Sequence, residues 1–170
     1  MAATNAKQSQ TPWFLLGLAA VLLLLRVVFP ESSGPSEAET GLEIPEKVQW
    51  LTPDQVPANP SKPLLYDFTA RWCAPCRQQA KEVFADEKTA AFINEHFLPV
   101  KVADERRSEK AVAELFGRYG VGRFPTLVVA DRNGQELARQ QGYSGKRKTE
   151  AFLKKALEKA ANHKASSERK

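Results

Sequence analysis

The sequence predicts an α/β domain in which a central mixed β-sheet is flanked by helices. Three observations support this fold class. Short apolar runs of strand length alternate with segments whose apolar residues recur at helical spacing. These segments follow one another in the order β, β, α, β, α, β, β, α. An Asn-Gly pair separates the last two strands, which indicates a hairpin and therefore an antiparallel pair within the sheet.

An apolar segment precedes this domain at residues 13–29, where Arg26 is the only charged residue. A helix of this length spans about 25 Å, slightly less than a hydrocarbon core of about 30 Å. We predict one uncleaved transmembrane anchor, with a cleaved signal peptide as the alternative. Lys7 and the free amine favour an N-terminus on the inner side. The expected location is the bacterial inner membrane, with the C-terminal domain in the periplasm.

Composition divides the chain into five parts. A polar, acidic and turn-rich linker follows the apolar segment, and globular patterning begins after it. The predicted parts are an N-terminal tail at 1–12, the anchor at 13–29, the linker at 30–46, the folded domain at 47–162 and a basic tail at 163–170.

The net charge of +5 is concentrated near the C-terminus. Residues 146–170 carry nine Lys or Arg against three Glu, a charge that can hold nucleic acid or anionic lipid. No aromatic residue beyond Phe152 lies among these charges. We therefore interpret them as a solvated helix face with a frayed end, and expect no nucleic-acid partner.

The first half of the domain contains three predicted strands and one interrupted helix. A short strand at 47–51 is followed by a proline-rich connection. The run "LLYDF" at 64–68 is typical of a strand buried on both faces. Helical spacing begins near Cys73 and continues to Phe97 with a kink or break, and a strand follows at 98–103.

The second half contains two strands between two helices. The helix at 108–120 has one apolar face and stops at its final glycine. The strand at 126–130 is predicted to pair through the Asn-Gly turn with an antiparallel strand at 135–140. A last helix is predicted at 148–162.

Both cysteines of the chain, Cys73 and Cys76, fall where a buried strand gives way to a helix. The free N–H groups and dipole at a helix start stabilise negative charge, so a Cys73 thiolate is expected to have a lowered pKa. Pro75 suits the first helical turn. We expect Cys76 to be more buried and less acidic. This asymmetry suits thiol–disulfide exchange, in which Cys73 attacks and Cys76 resolves the mixed disulfide.

Metal binding is the competing interpretation of two cysteines at this spacing. Zinc normally takes four ligands, and His96 and His163 are isolated in the sequence. Arg77 follows Cys76, so the haem-attachment pattern is absent. We expect neither metal nor cofactor in one chain, although two chains sharing a metal remains an alternative.

The segment "DFTARWCAPCR" resembles the active-site segment of the thioredoxin superfamily, and "RFPTLVV" resembles its cis-proline loop. Gly142 matches the glycine that follows the final hairpin. The similarity covers roughly residues 47–162. The segments "SKPLLYDF" and "VFADEKTAAFINEHFLPVKVADE" resemble most the C-terminal periplasmic domain of the membrane electron carrier DsbD and its stand-alone relatives.

The resemblance implies a role for each matching residue. Cys73 would be the nucleophile and Cys76 the resolving thiol of a redox disulfide. Asp67 would lie beneath them and exchange protons with Cys76, unless it turns out to solvent at the strand end. Pro125 would be cis, unless it is an ordinary turn proline, and the Phe124 backbone would pair with substrate.

The remaining substrate contacts are expected from Trp72, Ala74 and Pro75. Trp72 would form an apolar rim, or else belong to the core. Two residues depart from the usual pattern: Thr69 replaces a common aromatic, and Phe124 is bulkier than the residue often found before the cis-proline. The resemblance therefore does not transfer a substrate preference.

The motif is compatible with reduction, oxidation or isomerisation of disulfides. We expect a reductase, because a buried acid helps Cys76 to release reduced product, and because Ala74-Pro75 resembles the dipeptide of membrane-tethered reductases. No Gly-rich nucleotide fingerprint is present, so electrons would come from a membrane donor of the DsbD type and pass to oxidised exported proteins. A non-catalytic binding module on the same fold is the alternative from another class.

Overall fold

The computed structural model describes residues 45–167 and residue 169. Within this part of the chain, four strands and four α-helices are formed, and one π-helical turn at Ala80–Phe84 joins the first two helices. In chain order the elements are β1 Leu64–Thr69, α1 Ala74–Gln79, α2 Glu87–His96, β2 Leu98–Ala103, α3 Lys110–Tyr119, β3 Thr126–Ala130, β4 Glu136–Gln141 and α4 Lys146–Ser167.

The sheet has the strand order β2-β1-β3-β4 and is mixed, as the sequence predicts. Strand β1 pairs in parallel with β2, where Asp67 lies opposite Lys101. It pairs antiparallel with β3, where Asp67 lies opposite Leu127. The predicted hairpin is confirmed, because β3 and β4 are antiparallel neighbours. Since β1 is central, the residues that follow it emerge at the middle of one sheet edge.

Helices cover both faces of the sheet and define two cores. On one face α3 packs against the side chains of Leu64, Tyr66 and Phe68. On the other face the π-helical turn, α2 and α4 pack against Leu65 and Leu127. Successive residues of β1 therefore point into different cores, as the pleat of a strand requires. All β1 residues from Leu64 to Phe68 are buried, which explains the continuous apolar run.

Local signals set the ends of several elements. Asp86 caps α2 by accepting the Thr89 N–H at 2.9 Å. Helix α3 ends at Gly120, whose φ of 56° is left-handed. In the β3–β4 turn, the Asp131 carboxylate accepts the N–H groups of Asn133 and Gln135, both at 2.8 Å. The Asp86 and Asp131 carboxylates thus accept backbone N–H groups that the regular helix and sheet hydrogen bonds leave without a partner.

Three sequence predictions require correction or lie outside the structure. The strand predicted at 47–51 is wrong, because only Leu51 forms an isolated bridge, to Val100. The last helix is longer than predicted and continues through Ser167 into the region expected to fray. The predicted anchor at 13–29 lies outside the described residues, and none of the helices within them has the length and apolarity needed to cross a membrane.

Candidate active site

Cys73 and Cys76 form a disulfide between the end of β1 and the start of α1, with Cα atoms 5.3 Å apart. Cys73 is the N-cap residue of α1 and Pro75 occupies the first turn, as predicted. The Cys73 Sγ accepts the backbone N–H of Cys76 at 3.2 Å. One otherwise free amide of the helix start therefore points at the sulfur of Cys73, where it would stabilise a thiolate.

The expected difference in burial between the two cysteines is not observed in the disulfide form. Cys73 is 4% exposed and Cys76 is 5% exposed. Both pack with Ala70 and the half-buried Phe124 in a small apolar cluster. The asymmetry of the pair therefore lies in its position on the helix, since Cys73 caps α1 and Cys76 lies inside the first turn.

Asp67, on the strand that leads to this disulfide, is buried rather than turned toward solvent at the strand end. Its side chain is 3% exposed, and Oδ1 has no hydrogen-bond partner among the described residues. By the alternation of β1 it shares a face with Leu65, so it points toward the core that the π-helical turn, α2 and α4 cover. Burial raises the pKa of Asp67 to about 7, which brings its titration into the range needed for proton exchange with a thiol.

Two charged residues that the sequence analysis did not select act on Asp67. Lys101, its neighbour on β2, lowers the pKa of the carboxyl, and Glu46 raises it. Lys101 Nζ and Glu46 Oε1 form an ion pair at 2.6 Å, and Trp50 donates its indole N–H to the same carboxylate. One sequence feature could have indicated this contact. Lys101 is the single charged residue in the apolar strand "LPVKVA", just as Asp67 is in "LLYDF".

Gln79 is a second buried polar group that sequence reasoning missed. It lies one turn beyond Cys76 on α1 and is 1% exposed. Neither polar atom of its side-chain amide has a hydrogen-bond partner among the described residues. Within that part of the chain, the only buried side-chain N or O atoms without a partner belong to Gln79 and Asp67. No sequence pattern distinguishes Gln79 from its exposed neighbour Gln78.

The loop before β3 supplies the other wall of the site. The Phe124–Pro125 peptide bond is cis, which confirms the prediction. Gly142, with a φ of 74°, donates its N–H to the Pro125 carbonyl at 2.7 Å and so fixes the loop to the end of β4. The ring of Phe124 contacts the cysteine cluster. The disulfide, the cis-proline loop and the N-terminus of α1 therefore meet at one edge of the sheet.

Comparison with known proteins identifies this arrangement. Residues 54–157 match the thioredoxin-like domain family. The chain belongs to the thioredoxin-like family. A thioredoxin of Alicyclobacillus acidocaldarius is 32% identical over 103 residues, which cover 57% of this chain and 84% of that protein.

Two other similar proteins differ in how much of their own length the match covers. A protein disulfide-isomerase of Ricinus communis is 32% identical over 95 residues, which cover 54% of this chain but only 18% of that protein. The solved structure of a DsbH oxidoreductase has a TM-score of 0.55 at 24% identity, and the match covers 76% of this chain and 97% of that one. This structural similarity supports the thioredoxin-like fold.

The rim of the thioredoxin-like site is apolar and exposed. Trp72 is 69% exposed, so it is not part of the core. Its ring packs edge-on against Phe124 with centroids 5.6 Å apart, and Phe124 packs edge-on against Phe116 at 5.9 Å. Ala74 and Pro75 are also exposed beside the disulfide. These residues form an apolar surface around buried sulfurs, which suits an extended peptide better than a small polar ligand.

The described residues contain no cluster of possible metal ligands at the cysteines. Across residues 45–167 and 169, no group of three or more His, Cys, Asp or Glu side chains is arranged to hold a metal ion. His163 lies 3.3 Å from Asp131, beside a cavity of about 250 Å³ next to the β3–β4 turn. That turn is at the sheet edge opposite the disulfide, so the cavity is separate from the site.

Proposed function

We propose that this protein is a thiol–disulfide oxidoreductase that reduces disulfides in exported proteins. The Cys73 thiolate attacks one sulfur of the substrate disulfide, forms a mixed disulfide and releases one substrate thiolate. Cys76 then attacks the Cys73 Sγ, which closes the protein disulfide and releases the second substrate thiolate. Two electrons pass from the protein dithiol to the substrate, and the substrate thiolates take up the two protons that the dithiol loses.

The observation that carries this proposal is the buried carboxyl of Asp67 on the strand that leads to a helix-capping disulfide. A carboxyl that titrates near neutrality can accept the proton of Cys76 when the mixed disulfide forms. It therefore speeds the step that releases reduced product. The helix start favours the opposite direction, because it stabilises the Cys73 thiolate and with it the dithiol form. An oxidase or isomerase is consequently the second candidate.

The cellular setting in this proposal rests on the sequence. The apolar segment at 13–29 would tether the domain to the inner membrane on its periplasmic side. A membrane donor of the DsbD type would re-reduce the disulfide, since the active-site entry and the following insert resemble the DsbD domain. Oxidised protein segments would dock on Trp72, Ala74 and Pro75 and pair with the backbone at Phe124.

Trapping tests the proposed role. In a Cys76→Ala variant, Cys73 can form mixed disulfides but cannot resolve them, so protein-linked adducts should accumulate and disappear with a reductant. A Cys73→Ser, Cys76→Ala variant is the matched control. Failure to recover adducts through Cys73 would contradict the proposal. Retained cellular function in a Cys73→Ser, Cys76→Ser variant would instead support a non-catalytic binding module.

A redox titration of the full chain against glutathione separates reductase from oxidase. Related couples range from about −270 mV in thioredoxin to about −120 mV in DsbA. We expect a potential toward the reducing end of that range. A value near that of DsbA would identify the protein as an oxidant and reject the proposed direction.

A further inference from the structure

The charges around the disulfide are unbalanced. Four segments surround it at this sheet edge: residues 70–77, 104–109, 121–125 and 142–145. Together they contain five arginines and three acidic residues, and the last segment contains no charge. The four segments by themselves therefore carry two more positive than negative charges, and two acids outside them, Asp54 and Glu82, contact Arg106 and Tyr143.

Each of the three acids is matched to one arginine. Glu105 accepts the Arg71 backbone N–H at 2.6 Å and lies 4.0 Å from the guanidinium of Arg71. Arg106 pairs with Glu109 at 2.7 Å, and also with Asp54, outside the four segments, at 3.9 Å. Arg107 pairs with Asp104 at 3.1 Å. The local acids therefore leave two arginines without a carboxylate.

These two arginines are Arg77 and Arg123, and both are exposed. Neither has a carboxylate within ion-pair distance among the described residues. Arg77 donates from Nη1 to the Arg71 carbonyl at 2.7 Å, which holds its guanidinium beside the loop that leads into Cys73. The Arg123 carbonyl accepts the Thr126 hydroxyl at 2.7 Å, which fixes the loop two residues before Pro125.

The two arginines therefore belong to segments on opposite sides of the proposed docking surface. One is on the helix that carries the disulfide, and the other precedes the cis-proline loop. We propose that this surface selects oxidised protein segments with acidic residues flanking the disulfide, held by Arg77 on one side and Arg123 on the other. This inference rests on the proposed function, because it names the substrate class for the same site.

Charge complementarity of this kind acts mainly on the rate of encounter. Exposed ion pairs contribute little to affinity, but fields of one sign near a binding surface raise association rates by about tenfold or more at low salt. The preference should weaken as salt shortens the Debye length from about 10 Å at 0.1 M toward 3 Å at 1 M. Salt dependence therefore distinguishes steering from an apolar contact.

The test uses the reduced full chain in single turnover with synthetic disulfide peptides. Three peptides differ only in the residues that flank the disulfide, which are Glu, Gln or Lys. We expect the Glu peptide to be reduced about tenfold faster than the Lys peptide at low salt, with the difference nearly lost at high salt. Equal rates for the three peptides, or a preference for Lys, would overturn the inference.

An Arg77→Gln, Arg123→Gln variant should remove most of the preference. The control is Arg132→Gln, Lys155→Gln, which loses the same net charge at exposed positions outside the four segments and should keep it. Hydroxyethyl disulfide, which is uncharged, reports the exchange chemistry alone. A site variant that keeps the preference, or that loses the hydroxyethyl disulfide rate in equal proportion, would also overturn the inference. A wild-type chain that reduces none of the disulfides would refute the proposed function itself.

Discussion

Side chains on both faces of β1 are buried, but the two faces differ in whether their buried polar atoms have hydrogen-bond partners. On the α3 face, Tyr66 and Tyr119 lie among apolar side chains, and the Tyr119 hydroxyl donates to the Gly134 carbonyl at 2.9 Å. On the opposite face, Asp67 and Gln79 are buried with polar atoms that have no partner among the described residues. A buried polar group without a partner costs about 1–3 kcal/mol.

The face of β1 that contains Asp67 is therefore the less stabilising of the two. The α3 face is built as a core, because the Tyr119 hydroxyl is hydrogen-bonded and the ring of Phe68 packs edge-on against those of Phe116 and Tyr119. The opposite face carries polar groups, on Asp67 and Gln79, that have no partner among the described residues. Groups of this kind cluster at sites where protons are exchanged. The comparison predicts that substitutions on the first face lower stability at every pH, whereas substitutions on the second face change its pH dependence.

Phe68→Ala should give the largest effect. The side chain is fully buried, and its ring lies 5.2 Å from that of Phe116. Removing it should lower the free energy of unfolding by about 3–5 kcal/mol, through lost burial and the cavity that remains. Denaturant unfolding at pH 4, 6 and 8 should show the same loss at each pH. A loss that varies with pH would break the distinction between the faces.

Asp67→Asn should change the slope of stability against pH. The pKa of Asp67 is raised from about 4 in the unfolded chain to about 7 in the folded one. Below pH 4 the carboxyl is protonated in both states and contributes no penalty. Between pH 4 and 7 the unfolded chain releases the proton first, so wild-type stability falls, by up to about 4 kcal/mol above pH 7.

The Asn variant should lack this fall when unfolding is measured with the disulfide intact. The control is Asp54→Asn, at an exposed position where hydrogen bonding to Thr52 lowers the pKa of the carboxyl. The control should retain the wild-type decline between pH 4 and 7. A parallel decline in the Asp67→Asn variant would show that Asp67 does not carry the pH dependence.

Glu46→Gln and Lys101→Gln should move the titration of Asp67 in opposite directions. Loss of the Lys101 charge removes a stabilising influence on the carboxylate, so the pKa of Asp67 should rise above about 7. Loss of the Glu46 charge should lower the pKa, because it removes a repulsive charge and leaves Lys101 uncompensated. Carbon NMR of the Asp67 carboxyl measures both shifts. Shifts of the same sign would contradict this account.

Gln79→Leu should give the smallest effect. The substitution removes a buried amide without partners and keeps an apolar side chain of similar size, so stability should rise by about 1 kcal/mol or stay unchanged. Gln78→Leu is the neighbouring control, at an exposed position that hydrogen-bonds Glu82 at 3.0 Å. Its effect should lie within about 0.5 kcal/mol. A clear loss of stability in Gln79→Leu alone would mean that the amide has a stabilising partner.

Local sequence patterns were enough to predict most of the strands and helices and the position of the two cysteines. The runs at β1, β2 and β3 are strand-length and apolar, and the Asn133-Gly134 turn determines the hairpin. The position of Cys73 at a helix cap follows from the strand–helix boundary and Pro75. Residue type and neighbouring sequence are sufficient for these features.

The missed features depend on contacts between distant segments. Glu46 and Lys101 are 55 residues apart and meet where Leu51 bridges to β2. Of residues 47–51, only Leu51 bridges to β2, at Val100. Local β-propensity cannot predict that the other residues stay unpaired. The burial of Gln79 depends on how α1 lies on the sheet. The equal burial of the two cysteines depends on the Phe124 side chain that covers them.

Alkylation of the reduced full chain across a range of pH tests the central claim, that Cys73 is the reactive thiol. Mass spectrometry can assign each modified residue. The account predicts that Cys73 is modified first and at lower pH than Cys76, because its sulfur caps α1 and faces the Cys76 amide. Equal modification of both cysteines, with the pH dependence of free cysteine, would contradict the account.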